Sequence, residues 1–408
     1  MAAGRRGAIR WAVVGFLGLC LLSLPWLTEL RPPPLLALAQ REYHVTVLAD
    51  GGRGSLREAI VAANQTAGRA RILLPGHRIS LETPLPPLVN PHGTVIQGRS
   101  GSGIDAAALE GGPVLDVIAP GSSLGGFEIL HGAGQGILVR SPHVQLENLA
   151  LVGCGSGVHA LGGARGLNVT SNRFEGNETG VTVEGWMESA KIVDNVFREH
   201  RRAGVWAVAP VSREGAELTI SRNRFEGDTI AVVAMNVGAR IEDNHVSGFR
   251  EAGILVSGRD NLVRRNRIRA GRSYGICAVA SEATVIEQNE TDHNEAVGIL
   301  LKNALSTVVR ANRVYGNGFG IVVVFGDPLR PSRVAENLVW QQSFDGVYVI
   351  GGSPVVSGNQ VRTSGRAGIR IDDFEGRRGA IRAAHPLLSD NVLERNLFDD
   401  PRRGRYVE

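Results

Sequence analysis

From residue 135 to residue 374 the chain is a succession of short runs in which apolar and polar positions alternate, each run closed by an Asn or a Gly. One marker is an Asn with an apolar residue three positions before it and another two after. It reads Val169-Thr-Ser-Asn172-Arg-Phe174, Ile192-Val-Asp-Asn195-Val-Phe197, Ile220-Ser-Arg-Asn223-Arg-Phe225, Ile241-Glu-Asp-Asn244-His-Val246 and Val263-Arg-Arg-Asn266-Arg-Ile268. The series continues at Asn289, Asn312, Asn337 and Asn359 and begins, slightly out of pattern, at Asn148; successive spacings run from 21 to 28 residues and centre on 23. A second marker, Gly followed by Ile or Val, keeps step at Gly136, Gly157, Gly180, Gly204, Gly253, Gly275, Gly298, Gly320, Gly346 and Gly368, with Ile230-Ala231 where one Gly is missing. Period-2 runs predict strands, and two markers in phase predict a solenoid.

The coil length suits a parallel β-helix with two or three strands per coil, each bounded by a residue that tolerates left-handed backbone, the role expected of Asn and Gly. Stacked coils would align the Asn side chains in a ladder of amide hydrogen bonds, so their role is structural. Roughly 13 to 15 coils at about 4.8 Å each give a rod of about 60 to 70 Å. Cys154 and Cys277 then lie about five coils, or over 20 Å, apart, beyond the roughly 7 Å Cα limit for a disulfide, and are expected to be free thiols.

Ahead of the repeats stands Val45-Thr-Val-Leu-Ala-Asp-Gly-Gly-Arg-Gly-Ser-Leu-Arg-Glu-Ala-Ile60, followed by Ala63-Asn64. Ser55 and Glu58 form a capping box, predicting an amphipathic helix over 55 to 64 that covers the open end of the first coil. This segment resembles the opening of bacterial exported β-helix repeat proteins of the pectin-lyase-like superfamily. Ile72-Leu-Leu-Pro-Gly, Ile79-Ser-Leu, Thr94-Val-Ile-Gln-Gly98 and Gly103-Ile-Asp105 follow the irregular early coils of that group, and the resemblance extends over residues 42 to 374. It implies an all-β, right-handed parallel β-helix with a short N-terminal capping α-helix. It fixes no activity, because the superfamily holds polysaccharide lyases, hydrolases, epimerases, tailspikes, adhesins and periplasmic metal-maturation factors.

The formal charge of +4 is concentrated in residues 1–39, where Arg5, Arg6, Arg10 and Arg31 stand against Glu29; the remainder has 40 basic and 39 acidic residues. No nucleic-acid footprint follows from so even a balance. The same leader has an apolar run from Trp11 to Leu27 and ends in Ala37-Leu38-Ala39. That is the pattern of a signal peptide cut before Gln40, or of an uncleaved N-terminal membrane anchor, and either sends the body to the periplasm, cell surface or medium. The expected organisation is leader 1–39, strand and capping helix 40–70, β-helix 71–374, and a tail or irregular last coil 375–408.

Substrates of this superfamily usually lie on the outer face of the strand set that opens with the Gly-Ile/Val signal. With Ile or Val inward, the outward row reads Leu138, His159, Thr182, Trp206, Val232, Leu255, Cys277, Leu300, Val322, Tyr348 and Arg370. Two residues on, a parallel row includes Glu184, Ala234, Lys302, Ile350 and Asp372. The face is apolar from Trp206 to Tyr348, and such a strip calls for a cover: the tail from Glu375, another subunit, or a polysaccharide or protein partner. Only Glu184 and Asp372 put carboxylates in these rows, some eight coils apart, too far for glycosidase chemistry. The catalytic candidates are His159 with Glu184, and Arg370 with Asp372. Trp206, Lys302 and Tyr348 are candidates for ligand binding. The scattered histidines have no metal-ligand spacing, and no cofactor motif occurs, so neither a metal nor a cofactor is expected. Two readings stay open: a non-catalytic exported binding or scaffold protein, and a polysaccharide lyase, hydrolase or uronate epimerase.

Overall fold

The computed structural model describes residues 40–185, 188–211, 218–375 and 381–397. The leader, with its signal or anchor, and the end of the tail lie outside the described residues. Residues 40 onward form one unit. About thirteen turns of about 23 residues each contribute a strand to three parallel sheets. The first sheet runs from Arg41–His44 to Leu387–Ser389, the second from Arg78–Ser80 to Val392–Glu394, and the third from Leu115–Val117 to Ile369–Asp372. Helix α1, Leu56–Asn64, is capped by Ser55, whose hydroxyl accepts from the Glu58 N–H. Its Leu56, Ala59, Ile60 and Ala63 join the same apolar cluster as the inward residues of the coils.

The solenoid's interior is filled by these inward residues, including the stacked rings of Phe174, Phe197 and Phe225 with centroids 4.8 and 4.6 Å apart. Beside them runs the amide ladder. Asn195 Oδ1 accepts from both the backbone N–H (2.9 Å) and the side-chain amide (3.0 Å) of Asn172, while Asn195 Nδ2 donates to Val169 O at 2.9 Å. The pattern repeats to Asn359 and on to Asn391. From Asn172 onward each ladder Asn thus satisfies one buried backbone N–H and one buried carbonyl of the preceding coils.

The structure corrects the expected division of labour. The left-handed residue is the one before each Asn, as at Ser171 (φ 58°), Asp194 (58°), Arg222 (54°) and Arg265 (53°). An Asn in a ladder must turn its amide inward, so the positive φ falls to its exposed neighbour. Asn148 is such a neighbour (φ 54°), and Leu149 holds the ladder position, its N–H donating to Asn172 Oδ1 at 2.9 Å. The Gly of the Gly-Ile/Val signal is needed for space rather than for φ. A Cβ at Gly157 would lie 2.6 Å from Gly180 O and 2.7 Å from the Phe174 ring.

A second buried polar row was not visible in the sequence because its residues vary. Asn177, His200 and Asp228 meet in successive coils, with His200 Nδ1 2.6 Å from Asp228 Oδ1. After a gap filled by the Phe249 ring, which occupies the space a side chain at Gly271 would need, the row resumes as Asn294, Asn317 and Gln342. Cys154 and Cys277 are free and buried, and burial pushes both thiols up to about 11.

Candidate binding site on the third sheet

Strand pairing fixes the outward row of the third sheet. His159 pairs with Thr182, Thr182 with Trp206, and the row then passes through Val233, Leu255, Cys277, Leu300 and Val322 to Tyr348 and Arg370. Val232 and Ala234, expected on this face, are fully buried in the interior, and Val233 and Met235 take their places. Ala231, not Ile230, stands in register with the glycines, which moves the alternation by one residue.

The middle of the face is apolar, as expected, but it shields itself. Cys277, Val297, Leu300 and Val322 are each less than a tenth exposed, packed against Val279, Phe319, Val324, Tyr348 and Ile350. The described part of the tail does not cover it. Leu387–Ser389 pairs with Val355–Ser357 and Val392–Glu394 with Gln360–Arg362, so the tail adds a further turn to the first and second sheets.

Polar groups gather at the two ends of the face. Toward the N-terminus, His159 Nε2 lies 3.3 Å from Glu184 Oε1, out of line for a hydrogen bond. One coil on, the Arg202 guanidinium sits 3.8 Å over the Trp206 ring, a cation–π contact. At the far end Tyr348 Oη donates to Asp372 Oδ2 at 2.7 Å, and Arg370 Nη2 reaches the same oxygen at 2.6 Å. The Arg370 guanidinium also covers the Tyr348 ring at 4.8 Å. Burial, reinforced by the bond to Asp372, raises the Tyr348 phenol well above its usual range. Lys302 stands apart in the second row, exposed between Val279 and Val324 and three coils, about 14 Å, from Asp372.

The sequence reading missed Asp345. Its carboxylate has no exposed surface, lies 3.8 Å from Arg370 Nη1 and accepts from the Ala367 N–H at 2.9 Å. Burial pushes its pKa up, against the pull of that hydrogen bond and of Arg370. Two carboxyl groups therefore share Arg370, where the row pattern showed one. Asp345 sits at the bend two residues before Val347, outside the rows that alternation defines; the only signal was its position just ahead of Gly346. Phe319 and Phe344 were missed for the same reason. Their rings lie 4.9 Å apart, with Tyr348 6.0 Å from Phe319 and Arg366 4.8 Å over Phe344.

Residues 207–361 match the family model described as the right handed beta helix region. A comparison of the sequence with curated proteins finds no match. Among solved structures, the chain is similar to PfbA, a surface adhesin of Streptococcus pneumoniae, at 14% identity and a TM-score of 0.53, over 84% of this chain and 93% of that one. It is similar to a double mutant of the periplasmic alginate epimerase AlgG at 14% identity and 0.55, over 85% and 89%. It is also similar to the catalytic unit of a thermostable GH87 alpha-1,3-glucanase from Streptomyces thermodiastaticus at 15% identity and 0.55, over 91% and 71%. At such identities the likeness concerns the fold, and neighbours that bind and neighbours that catalyse share it. The chain has the fold of a right-handed parallel β-helix.

Proposed function

We propose that this is an exported, non-catalytic binding protein that holds a carbohydrate on the outer face of its third sheet. The cluster at Phe319, Phe344, Tyr348, Arg370 and Asp372 carries the reading: partly exposed rings lie beside donors and acceptors already fixed by one another. Rings take the apolar faces of sugars, and preset polar groups orient their hydroxyls at little entropic cost. Export is supported by the leader and by neighbours described as a surface adhesin and a periplasmic epimerase.

One observation favours an enzyme acting on polysaccharide. A carboxyl raised by burial, Asp345, stands near a second carboxyl, Asp372, the asymmetry that acid–base pairs use. Asp345 nevertheless has no exposed surface with which to touch a substrate. Incubation with alginate and with α-1,3-glucan separates the readings. Binding without new reducing ends or unsaturated products is expected, and turnover that disappears in Asp372→Ala would overturn the binding reading.

A further inference from the structure

The two clusters share one face and one outward row. Trp206 and Tyr348 are six coil steps apart, about 29 Å at the spacing of parallel strands. Each end repeats the same arrangement: a ring covered by a guanidinium, Arg202 on Trp206 and Arg370 on Tyr348, with a carboxylate on the same face, Glu184 or Asp372. Between them the outward row is Val233, Leu255, Cys277, Leu300 and Val322, apolar but for one buried thiol, while the parallel row adds only Ser257 and Lys302 as polar side chains.

We propose that the clusters are the two ends of one site, whose ligand is a single unbranched polysaccharide strand long enough to reach both. This rests on the carbohydrate reading above and adds a minimum ligand length. In the middle of the face Cys277, Val297, Leu300 and Val322 are each less than a tenth exposed, so they give a protein partner little apolar area to bury. A glycan strand needs no such area there. Its apolar ring faces can cross the strip while its hydroxyls remain in water, and it is held where rings and polar groups coincide. Engaging the second end is then intramolecular, which raises affinity by about 10²-fold or more without any new kind of contact.

The test is titration calorimetry of the full chain with linear alginate and α-1,3-glucan fractions, from disaccharide to polymer. The expected result for the fraction series that binds is two weak disaccharide sites per chain, then a rise in affinity of about 10²-fold and a stoichiometry of one once the strand exceeds about 29 Å. Arg202→Ala and Phe344→Ala, both at exposed positions, should each abolish the rise and leave one disaccharide site. A single disaccharide site, or an affinity independent of length, would overturn the two-ended site while leaving the carbohydrate reading intact. Failure of every fraction to bind would overturn both.

Discussion

Asp345 shows how far one residue's behaviour depends on neighbours that the chain brings from elsewhere. Its carboxyl is buried beside Arg370, and burial outweighs the favourable contacts, so its pKa is raised above the ordinary Asp value of 3.8. Stability tied to the protonated form is complete below that value and is lost as pH rises through the folded-state pKa. Asp345→Asn keeps an oxygen to accept from Ala367 and removes the charge. The variant should match the parent in thermal midpoint near pH 3 and exceed it at pH 7 to 8, as measured by calorimetry across that range. A lower midpoint at pH 7 would mean that attraction to Arg370 outweighs burial. None of this was legible in the sequence, where Asp345 is one acidic residue at a bend with nothing to mark Arg370, 25 positions later, as its neighbour.

The coil is the element that repeats, and its Asn is the residue least free to change. Asn266 donates to Ile241 O and Asn289 Oδ1 and accepts from Asn244 on both backbone and side chain. Asn266→Ala would leave these buried groups unpaired and should cost on the order of 3 kcal/mol, read as a lower urea midpoint at unchanged slope. Leu149, at the N-terminal limit of the ladder, shows that an apolar residue is tolerated where only one coil depends on it. Asn172→Leu should cost somewhat less, because Leu149 brings Asn172 a backbone N–H but no side-chain amide, whereas Asn266 accepts from both. The ladder itself was legible because a polar residue recurring between apolar ones at a fixed period has little purpose other than pairing with its own copies. Which residue of the turn takes positive φ was not legible, because Asn suits either place and only the direction of its amide decides.

Over the whole molecule each coil contacts mainly its neighbours, so stability should fall toward the ends. The last described turn is open, with Leu387 70% and Leu388 37% exposed. Amide exchange should therefore be fastest over 387–394 and slowest over the central coils between residues 169 and 361; uniform protection along the rod would show that something covers the C-terminal end. The sequence by itself determined the solenoid, its period, the Asn ladder, the impossibility of a disulfide and the apolar character of the third sheet's outer face. These depend on local alternation repeated at constant spacing, and an identical environment in every coil makes the signal additive. Only the tertiary structure decided which residues gather at the ends of that face. Tyr348, Arg370 and Asp372 lie on strands and follow from the alternation, but Asp345 and Phe344 join them from the bend before Val347, which a count along the chain misses, and the coil in which Ala231 replaces Gly shifts the count so that Val232 is taken for Val233. Tertiary packing also decided that the apolar strip shields itself, since contact between coils sets how much surface remains open to water.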